Sequence, residues 1–452
     1  MLFEYLEFKG GQDEIQEEHM GREFLKYVLQ NVAGMIGVSV YILADTFFIS
    51  AAAGANGITV LNLALPIYGL MFAIGSMIGV GSATRFGIKK AQGQKEIDTY
   101  FAHALFWDLI GSIPFVLAGI FAPKMVLKIM GGDPMIMELG KNYMRIILTA
   151  APAFMINYIF TAFARNDDAP TIAMVGSLSG SFFNIIFDYI FMFPMGMGMT
   201  GAALATALSP IVTIAICSTH YFGKKSKVKI RWRKPSYKLL VSCCQLGIAG
   251  FVGEMASAIT TVIFNMLLLH LTGNIGVAAY GIVANLALVA TAIFNGISQG
   301  TQPLLSRSYG LNDKKNVNRL LRWGLGVTVT VEAVLIGAAW IFTNEFVAVF
   351  NSEGNELLEF YANDALRLYF LGYLAAGVNI MLISYFSATG QTGPAFASSM
   401  LRGAVAISVC AVAMAAFLGI NGVWLSFLAA ELITLFISIW MMVKGKRKRE
   451  FS

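Results

Sequence analysis

The sequence of 452 residues has few charged residues. Asp, Glu, Lys and Arg make up 13% of it, whereas a soluble globular protein carries about 25%. Hydrophobic residues make up 57% of the chain. So few charged side chains cannot cover a surface that faces water, which excludes a soluble globular protein. The composition indicates that lipid surrounds most of the chain.

The sequence also has few residues that ligate metals or form disulfides. The four cysteines fall in or beside apolar runs and show neither a disulfide framework nor metal-ligand spacing. The four histidines are scattered, so the sequence lacks the His/Asp/Glu or Ser/His constellation that an integral-membrane enzyme would need. We therefore predict a protein that is not an enzyme and that needs no cofactor and no transition metal.

Long apolar runs are the main feature of the sequence. A helix that crosses the hydrocarbon core needs about 20 apolar residues, and twelve such runs are present. They occupy residues 28–50, 57–84, 99–122, 143–163, 170–193, 199–222, 239–271, 277–305, 320–342, 360–386, 395–418 and 421–443. The alternating segments of a membrane β-barrel do not occur. The predicted fold class is an all-α integral membrane bundle of twelve transmembrane helices.

Basic residues predict the orientation of this bundle. Most of the 32 Lys and Arg residues lie in alternate connections between the runs, near the N-terminus or in the C-terminal tail. Cytoplasmic loops retain basic residues, so we predict a multi-pass protein of the plasma membrane with both termini in the cytoplasm. The acidic, apolar-poor N-terminal residues argue against a signal peptide. The net charge of +6 then reflects orientation in the lipid bilayer, and we expect no nucleic-acid partner.

An internal repeat divides the chain into two halves. Phe163–Pro170 resembles Phe386–Pro394, and other matches keep chain order at a similar separation. Six spans in each half preserve orientation, which predicts two pseudo-symmetric lobes related by an axis along the membrane normal. The predicted segments are a cytoplasmic N-terminal segment 1–27, an N-lobe 28–222, a basic cytoplasmic linker 223–238, a C-lobe 239–443 and a basic tail 444–452. Chance similarity of apolar segments is the alternative explanation.

Acidic residues within the runs are the first candidates for function, because a charge inside a span is costly and marks a functional site by default. The six acids of this kind are Asp45, Asp108, Asp188, Glu254, Glu332 and Glu431.

Four polar residues of the N-lobe share one depth. At ~1.5 Å per residue, Asp45, Asp188 and Thr206 lie roughly 7–12 Å below the outer surface. Asn184 precedes Asp188 by one helical turn on the same face. Two carboxyl groups, an amide and a hydroxyl at one depth predict a site for a proton or a sodium ion. The alternative is that each acid caps a helix or pairs with a neighbour.

Other polar residues give weaker signals. Glu254 stands alone among small residues in the seventh run, which favours a role in coupling or in cation recognition. Tyr143 and Asn157 are fourteen residues apart in the fourth run, nearly four helical turns, so we expect them on one face of one helix and beside one cavity. The remaining three intramembrane acids are expected to form hydrogen bonds that pack helices, or to act in coupling.

These residues together resemble the multidrug and toxic compound extrusion (MATE) transporters, in particular their bacterial multidrug-efflux branch. The resemblance covers nearly the whole chain after about residue 22 and rests on the joint order of several short motifs. The motifs are Tyr41–Ile49, Asn184–Asp188, Gly201–Thr206, Gly253–Met255, Ala279–Asn285 and Gly300–Leu304.

The resemblance implies a V-shaped pair of six-helix lobes that exports organic cations or other amphiphilic small molecules in exchange for inward protons or sodium ions. It also implies that Asp45, Asn184, Asp188 and Thr206 form the N-lobe cation site, bordered by Tyr143 and Asn157. Glu254 would belong to the C-lobe. We further expect a monomer.

Two departures leave the coupling ion open. The proline that is common early in the first span of the family is missing, and Gln30 and Asn31 stand near its place. A second acid in the tenth span, which some sodium-coupled members carry, is also missing. A lipid-linked precursor flippase of the same superfamily is the alternative function. It would require basic residues in the central cavity, whereas the intramembrane charges here are acidic.

Overall fold

The computed structural model describes residues 2–223, 226–229, 235–351 and 354–450. Within these ranges all regular secondary structure is helical, as predicted. Part of the predicted basic linker, Lys224, Lys225 and residues 230–234, lies outside the described residues.

The described residues contain the predicted twelve spans. Nine helices are each long and apolar enough to cross a membrane, and two bent pairs of helices make one further span each. The last of the nine, Thr392–Gly445, is broken at Gly419 and therefore makes two spans. In chain order, spans 1 to 12 are Glu17–Gly54, Asn56–Ala91, Asp98–Phe121, Pro134–Thr149 with Ala151–Asn166, Pro170–Met192, Met199–Tyr221, Tyr237–Thr272, Asn274–Gly310, Lys314–Ile341, Glu356–Phe370 with Tyr373–Ala388, 392–419 and 420–445.

Glycines separate consecutive spans in three of the gaps between the predicted apolar runs. Gly54, Gly273 and Gly419 have φ values of 60°, 69° and 59°. This left-handed region is accessible to glycine at little cost, so each residue lets one helix end and the next begin at once. The helix of span 1 begins at Leu2, so the expected N-terminal segment 1–27 continues directly into that span.

Spans 4 and 10 differ from the prediction because each is broken. Their halves meet at angles of 41° and 45°. Pro152 lies in the first turn of the second half of span 4 and has no backbone N–H, so the helix cannot continue through it with regular hydrogen bonds. The prediction that Tyr143 and Asn157 share a face of one continuous helix is therefore wrong. The two residues lie on different halves, and a fourteen-residue helical phase does not connect them.

The two halves of the chain have the same order of elements. A short helix precedes each broken span, Pro123–Ile129 before span 4 and Thr343–Phe350 before span 10. This correspondence supports the internal repeat.

Spans 1 and 7 each begin against the other half of the chain. Phe24, Tyr27 and Val28 of span 1 are buried in a hydrophobic cluster that is otherwise built from spans 7 to 12. Cys243 of span 7 is buried in a cluster dominated by spans 2 to 6. The two halves thus share their cores at one end of the bundle. We call it the basic end, since it carries both termini and the connections 92–97 and 311–313.

Glycines allow the helices to approach very closely at this end. A Cβ added to Gly247 of span 7 would lie 1.9 Å from the carbonyl oxygen of Met77 in span 2, and one added to Gly81 would lie 2.3 Å from the carbonyl oxygen of Cys243. Spans 8 and 1 meet similarly, since a Cβ on Gly296 would lie 2.5 Å from the Cα of Val32. We refer to these contacts of spans 1 and 2 with spans 7 and 8 as the seam.

Polar side chains reinforce the seam. Both terminal nitrogens of Arg307 in span 8 donate to the Glu23 carboxylate in span 1, at 2.9 and 2.8 Å. A planar guanidinium and a carboxylate paired in this bidentate way form one of the stronger hydrogen-bonded contacts in proteins. Gln302 donates to the hydroxyl of Thr84 at 2.9 Å. The two halves are therefore closed against each other at the basic end.

Asp167 anchors the start of the linker to the first half. Its carboxylate accepts hydrogen bonds from Lys90 at 2.9 Å and from Ser226 at 2.8 Å, and it lies 2.9 Å from His220. Burial alone raises the pKa of Asp167, but the hydrogen bonds from His220, Lys90 and Ser226 outweigh it, and the pKa lies below its ordinary value.

We expect Gly247→Ala to destabilise the protein, because overpacking a close contact costs about 1–3 kcal/mol and the Met77 backbone cannot move aside like a flexible side chain. The thermal unfolding midpoint of the purified protein, followed by intrinsic fluorescence, should fall. Gly253→Ala is the matched control in the same span, since nothing lies within 4 Å of the Cβ it would add. Equal midpoints for the two variants would contradict the backbone contact.

Candidate functional site

The carboxyl groups of Asp45 and Asp188 lie together in the interior of the first half. Asp45 is 7% exposed and Asp188 is fully buried. The two side chains are in hydrogen-bonding contact with each other. Both oxygens of Asp188 and Oδ1 of Asp45 have no donor among the described residues. Two ionised carboxylates so close to each other repel, and a proton or a cation bound between them would relieve that repulsion.

An amide and a hydroxyl continue this polar cluster. Asn184 is fully buried and Thr206 is 6% exposed, and Nδ2 of Asn184 lies 3.2 Å from Oγ1 of Thr206. This bond turns the amide nitrogen toward Thr206 and leaves Oδ1 of Asn184 without a partner in the described part of the chain. The amide thus adds a fourth buried oxygen that lacks a donor, one helical turn from Asp188.

The donor set fits a proton or a monovalent hard cation. Such cations bind carboxylate, amide and hydroxyl oxygens, which are the groups that Asp45, Asn184, Asp188 and Thr206 present. No group of three or more His, Cys, Asp or Glu side chains that could hold a metal ion occurs within the described ranges. A sodium ion here would depend on the amide and the hydroxyl as well as the two acids.

Tyrosines border the pair of acids. Tyr143 is fully buried, its hydroxyl lies 3.2 Å from that of Tyr68, and it is close enough to interact electrostatically with Asp45 and Asp188. Tyr41 of span 1 also interacts electrostatically with both acids. Sequence reasoning selected Tyr143 but missed the roles of Tyr41 and Tyr68. Tyr41 precedes Asp45 by one helical turn, which was a usable signal, whereas the position of Tyr68 depends on tertiary packing.

Two predicted residues lie apart from this cluster. Glu254 of span 7 forms a side-chain hydrogen bond with Tyr158 of span 4. Asn157 precedes Tyr158, and its buried Oδ1 has no partner among the residues described. The structure therefore brings together Asp45, Asn184, Asp188, Thr206 and Tyr143.

The acids of the second half have protein partners. Oε1 of Glu332 accepts a hydrogen bond from the backbone N–H of Val378 at 3.0 Å. Glu431 accepts one from Nδ2 of Asn379 at 2.7 Å and pairs with Nε of Arg402 at 2.6 Å. These contacts join spans 9, 10, 11 and 12, as expected of acids that pack helices.

Asp108 differs from both of these acids. It is fully buried in span 3, and neither of its carboxyl oxygens has a hydrogen-bond donor in the described ranges. The expectation that it packs helices through a hydrogen bond gains no support from these contacts.

Comparison with known proteins gives this site its family context. The family model described as MatE matches residues 32–190 and 251–412. The chain belongs to this family. The two matched segments of the MATE model fall one in each half of the chain, with Asp45 and Asp188 in the first and Glu254 in the second. MATE proteins are transporters, so the expectation that the chain is not an enzyme is confirmed.

Curated relatives of the chain are MATE-type export proteins. It is 27% identical over 409 residues to the multidrug export protein MepA of Staphylococcus saprophyticus, a match that covers 87% of each chain. It is 26% identical over 419 residues to the multidrug export protein MepA of Staphylococcus aureus, with coverage of 91% and 90%. These matches support the predicted bacterial multidrug branch of the family.

Solved structures of transporters confirm the fold. An outward-facing multidrug resistance MATE family transporter of the MOP superfamily superposes with a TM-score of 0.88 at 20% identity, over 94% of this chain and 96% of that one. A MOP superfamily transporter from Pyrococcus furiosus, whose reverse polarity of the binding pocket suggests a different function, gives 0.87 at 21% identity, over 93% and 95%. The predicted V-shaped arrangement of two lobes is confirmed by these neighbours.

The contacts predict opposite effects of neutralising two buried acids. Glu431→Gln leaves Arg402 without its charged partner, and breaking a buried ion pair costs about 3–5 kcal/mol. Asp188→Asn removes an acid that no protein donor satisfies, so it should leave stability unchanged or raise it. Thermal unfolding of the purified variants measures both. A large loss of stability in Asp188→Asn would show that the acid pair holds the fold together.

Proposed function

We propose that the protein is a secondary active antiporter that exports amphiphilic or cationic small molecules in exchange for inward protons or sodium ions. The observation that carries the proposal is the buried contact of Asp45 with Asp188, in which three of the four carboxyl oxygens lack a donor among the described residues. By contrast, Glu332 and Glu431, which join helices of the second half, both have protein donors. The names of the MepA relatives, multidrug export proteins, support drug efflux as the activity.

The acid pair couples cation binding to substrate binding. A proton or a sodium ion neutralises the negative charge that Asp45 and Asp188 would otherwise share in a region of low dielectric constant. A cationic substrate is attracted to the cluster when that charge is present and is released when the coupling ion arrives. Linkage requires the reverse as well, so that substrate binding weakens the binding of the coupling ion.

Alternating access supplies the transport step. Because the seam closes the basic end, we infer that the space between the lobes is reached from the opposite end. Positive-inside orientation places the basic end in the cytoplasm, and the conformation is then outward-open. Transport requires a second conformation in which the seam separates and the opposite end closes. A multi-pass position in the plasma membrane, with both termini in the cytoplasm, and a monomeric state belong to this proposal.

The charge of the buried residues favours cationic substrates over lipid phosphates. Of the six intramembrane acids, only Glu431 forms an ion pair within the described ranges, and the other five carry, when ionised, the charge that attracts cations. A flippase for a lipid-linked precursor, the alternative function, needs basic groups that receive phosphate. The half-buried Arg402 is already paired with Glu431, and the buried Arg165 lies in the last turn of span 4, at the basic end.

Efflux from proteoliposomes tests the proposal directly. We expect ethidium efflux by the wild type under an imposed inward proton or sodium gradient. Asp188→Asn should reduce gradient-driven efflux to the level of protein-free liposomes, because an amide neither takes up a proton nor supplies the charge that binds sodium. Asp108→Asn is the matched control, since it makes the same change at another fully buried acid of the first half.

Two outcomes would contradict the proposal. Full gradient-driven efflux by Asp188→Asn would remove the acid pair from the coupling mechanism. Wild-type efflux that follows neither a proton nor a sodium gradient would exclude antiport with either ion.

A further inference from the structure

Glu254 lies at the point where the seam ends. Gly247, Gly250 and Glu254 are spaced to share one face of span 7. A Cβ on Gly247 would meet the Met77 carbonyl oxygen at 1.9 Å, and one on Gly250 would meet Oγ of Ser76 at 2.6 Å. Glu254 is one turn further from the basic end. The neighbouring Gly253 is exposed and has nothing within 4 Å of an added Cβ. Glu254 therefore lies just beyond the close contacts that span 7 makes with span 2 in the seam.

The partner of Glu254 belongs to the other half of the chain. Tyr158, on the second half of span 4, is in side-chain hydrogen-bonding contact with Glu254. Toward a carboxylate, which has no proton to give, the phenol must be the donor. This bond joins the two lobes next to the seam.

Span 2 fixes the position of Tyr158. Gly79 lets the backbone of span 2 lie against Tyr158, since an added Cβ would be 3.0 Å from the carbonyl carbon of Tyr158 and 3.2 Å from its Cβ. The ring of Phe72 lies 5.9 Å from the Tyr158 ring, centroid to centroid. Because backbone and ring are both held, the hydroxyl has little freedom to leave the carboxylate.

One residue, Tyr41, connects Tyr158 with the acid pair of the N-lobe. Tyr158 interacts electrostatically with Tyr41, which in turn interacts with Asp45 and Asp188. Arg165, about two helical turns further along span 4, also interacts electrostatically with Tyr158. Tyr158 thus stands between the acid of the second half and the candidate cation site of the first.

We propose that Tyr158 is a positioning residue for Glu254. The hydroxyl of Tyr158 orients the Glu254 carboxylate toward the space between the lobes and links it to the first half of the chain. The inference rests on the proposed function, which gives Glu254 its part in cation recognition. A cation that pairs with Glu254 competes with the hydroxyl for the same oxygens. Cation binding at Glu254 thereby changes a contact of span 4, and span 4 also carries Tyr143, which borders the N-lobe acids.

Chemical labelling of Glu254 tests the contact without requiring transport. Dicyclohexylcarbodiimide modifies protonated carboxyl groups in apolar surroundings, and mass spectrometry reports the modified residue. Tyr158→Phe keeps the ring but removes the donor that favours the ionised form of Glu254. We expect Glu254 to be labelled about tenfold faster at an alkaline pH at which the wild-type carboxyl group is mostly ionised, the size of effect that a hydrogen bond to a charged group produces.

Two controls separate positioning from general loosening. Tyr189→Phe removes the hydroxyl of a tyrosine that is 54% exposed on span 5, and should not change labelling of Glu254. Labelling of Asp108 should be equal in Tyr158→Phe and wild type. Equal labelling of Glu254 in those two proteins, a parallel rise at Asp108, or no labelling of Glu254 in the wild type would each overturn the inference.

Ethidium efflux by the double variant gives the functional readout. If Tyr158 acts through Glu254, the single variant Tyr158→Phe has a higher KM for ethidium than the wild type. Adding Tyr158→Phe to Glu254→Gln then causes no further rise in KM. Additive losses would mean that Tyr158 acts elsewhere. Faster labelling of Glu254 in a protein without gradient-driven efflux would retain the positioning contact and reject the antiport function, so the two failures are distinguishable.

Discussion

Two carboxyl groups in contact inside a membrane protein cannot both remain charged unless a cation joins them. Asp45 and Asp188 meet this constraint in the interior of the first half, where Oδ1 of Asn184 is a further oxygen without a protein donor and the Thr206 hydroxyl accepts from the amide nitrogen of Asn184. The charge of the site is therefore set by what it binds. A proton, a sodium ion and an organic cation all bind such a site through its negative charge. Their competition for that charge is the basis of exchange between them.

The closed seam gives this site its direction of access. Backbone contacts at Gly247 and Gly81, together with the ion pair of Glu23 and Arg307, bring the lobes together at the basic end. Such contacts are either formed or broken, because close-packed helices do not separate gradually. An acid pair within one lobe and a seam between the lobes are thus distinct parts, and transport requires that the state of one bias the other.

The sequence predicted the spans and most of the candidate site because both depend on local signals. Apolar run length located the twelve spans, and the cost of an intramembrane charge selected Asp45 and Asp188. The break in span 4 was missed although Pro152 marked it, since a long apolar run conceals a change of direction. The partners Tyr68 and Tyr158 could not be predicted, because they depend on which helices pack together. Sequence spacing carries no information about contacts between distant spans.

The most direct test of the account is whether substrate binding displaces the coupling ion. Tetraphenylphosphonium added to the purified protein in weakly buffered detergent solution should release protons, measured with a pH electrode, or previously bound radioactive sodium. The release should disappear when Asp45 and Asp188 are both replaced by Asn. Binding of tetraphenylphosphonium to the wild type with release of neither ion would contradict the central claim that one buried acid pair serves both.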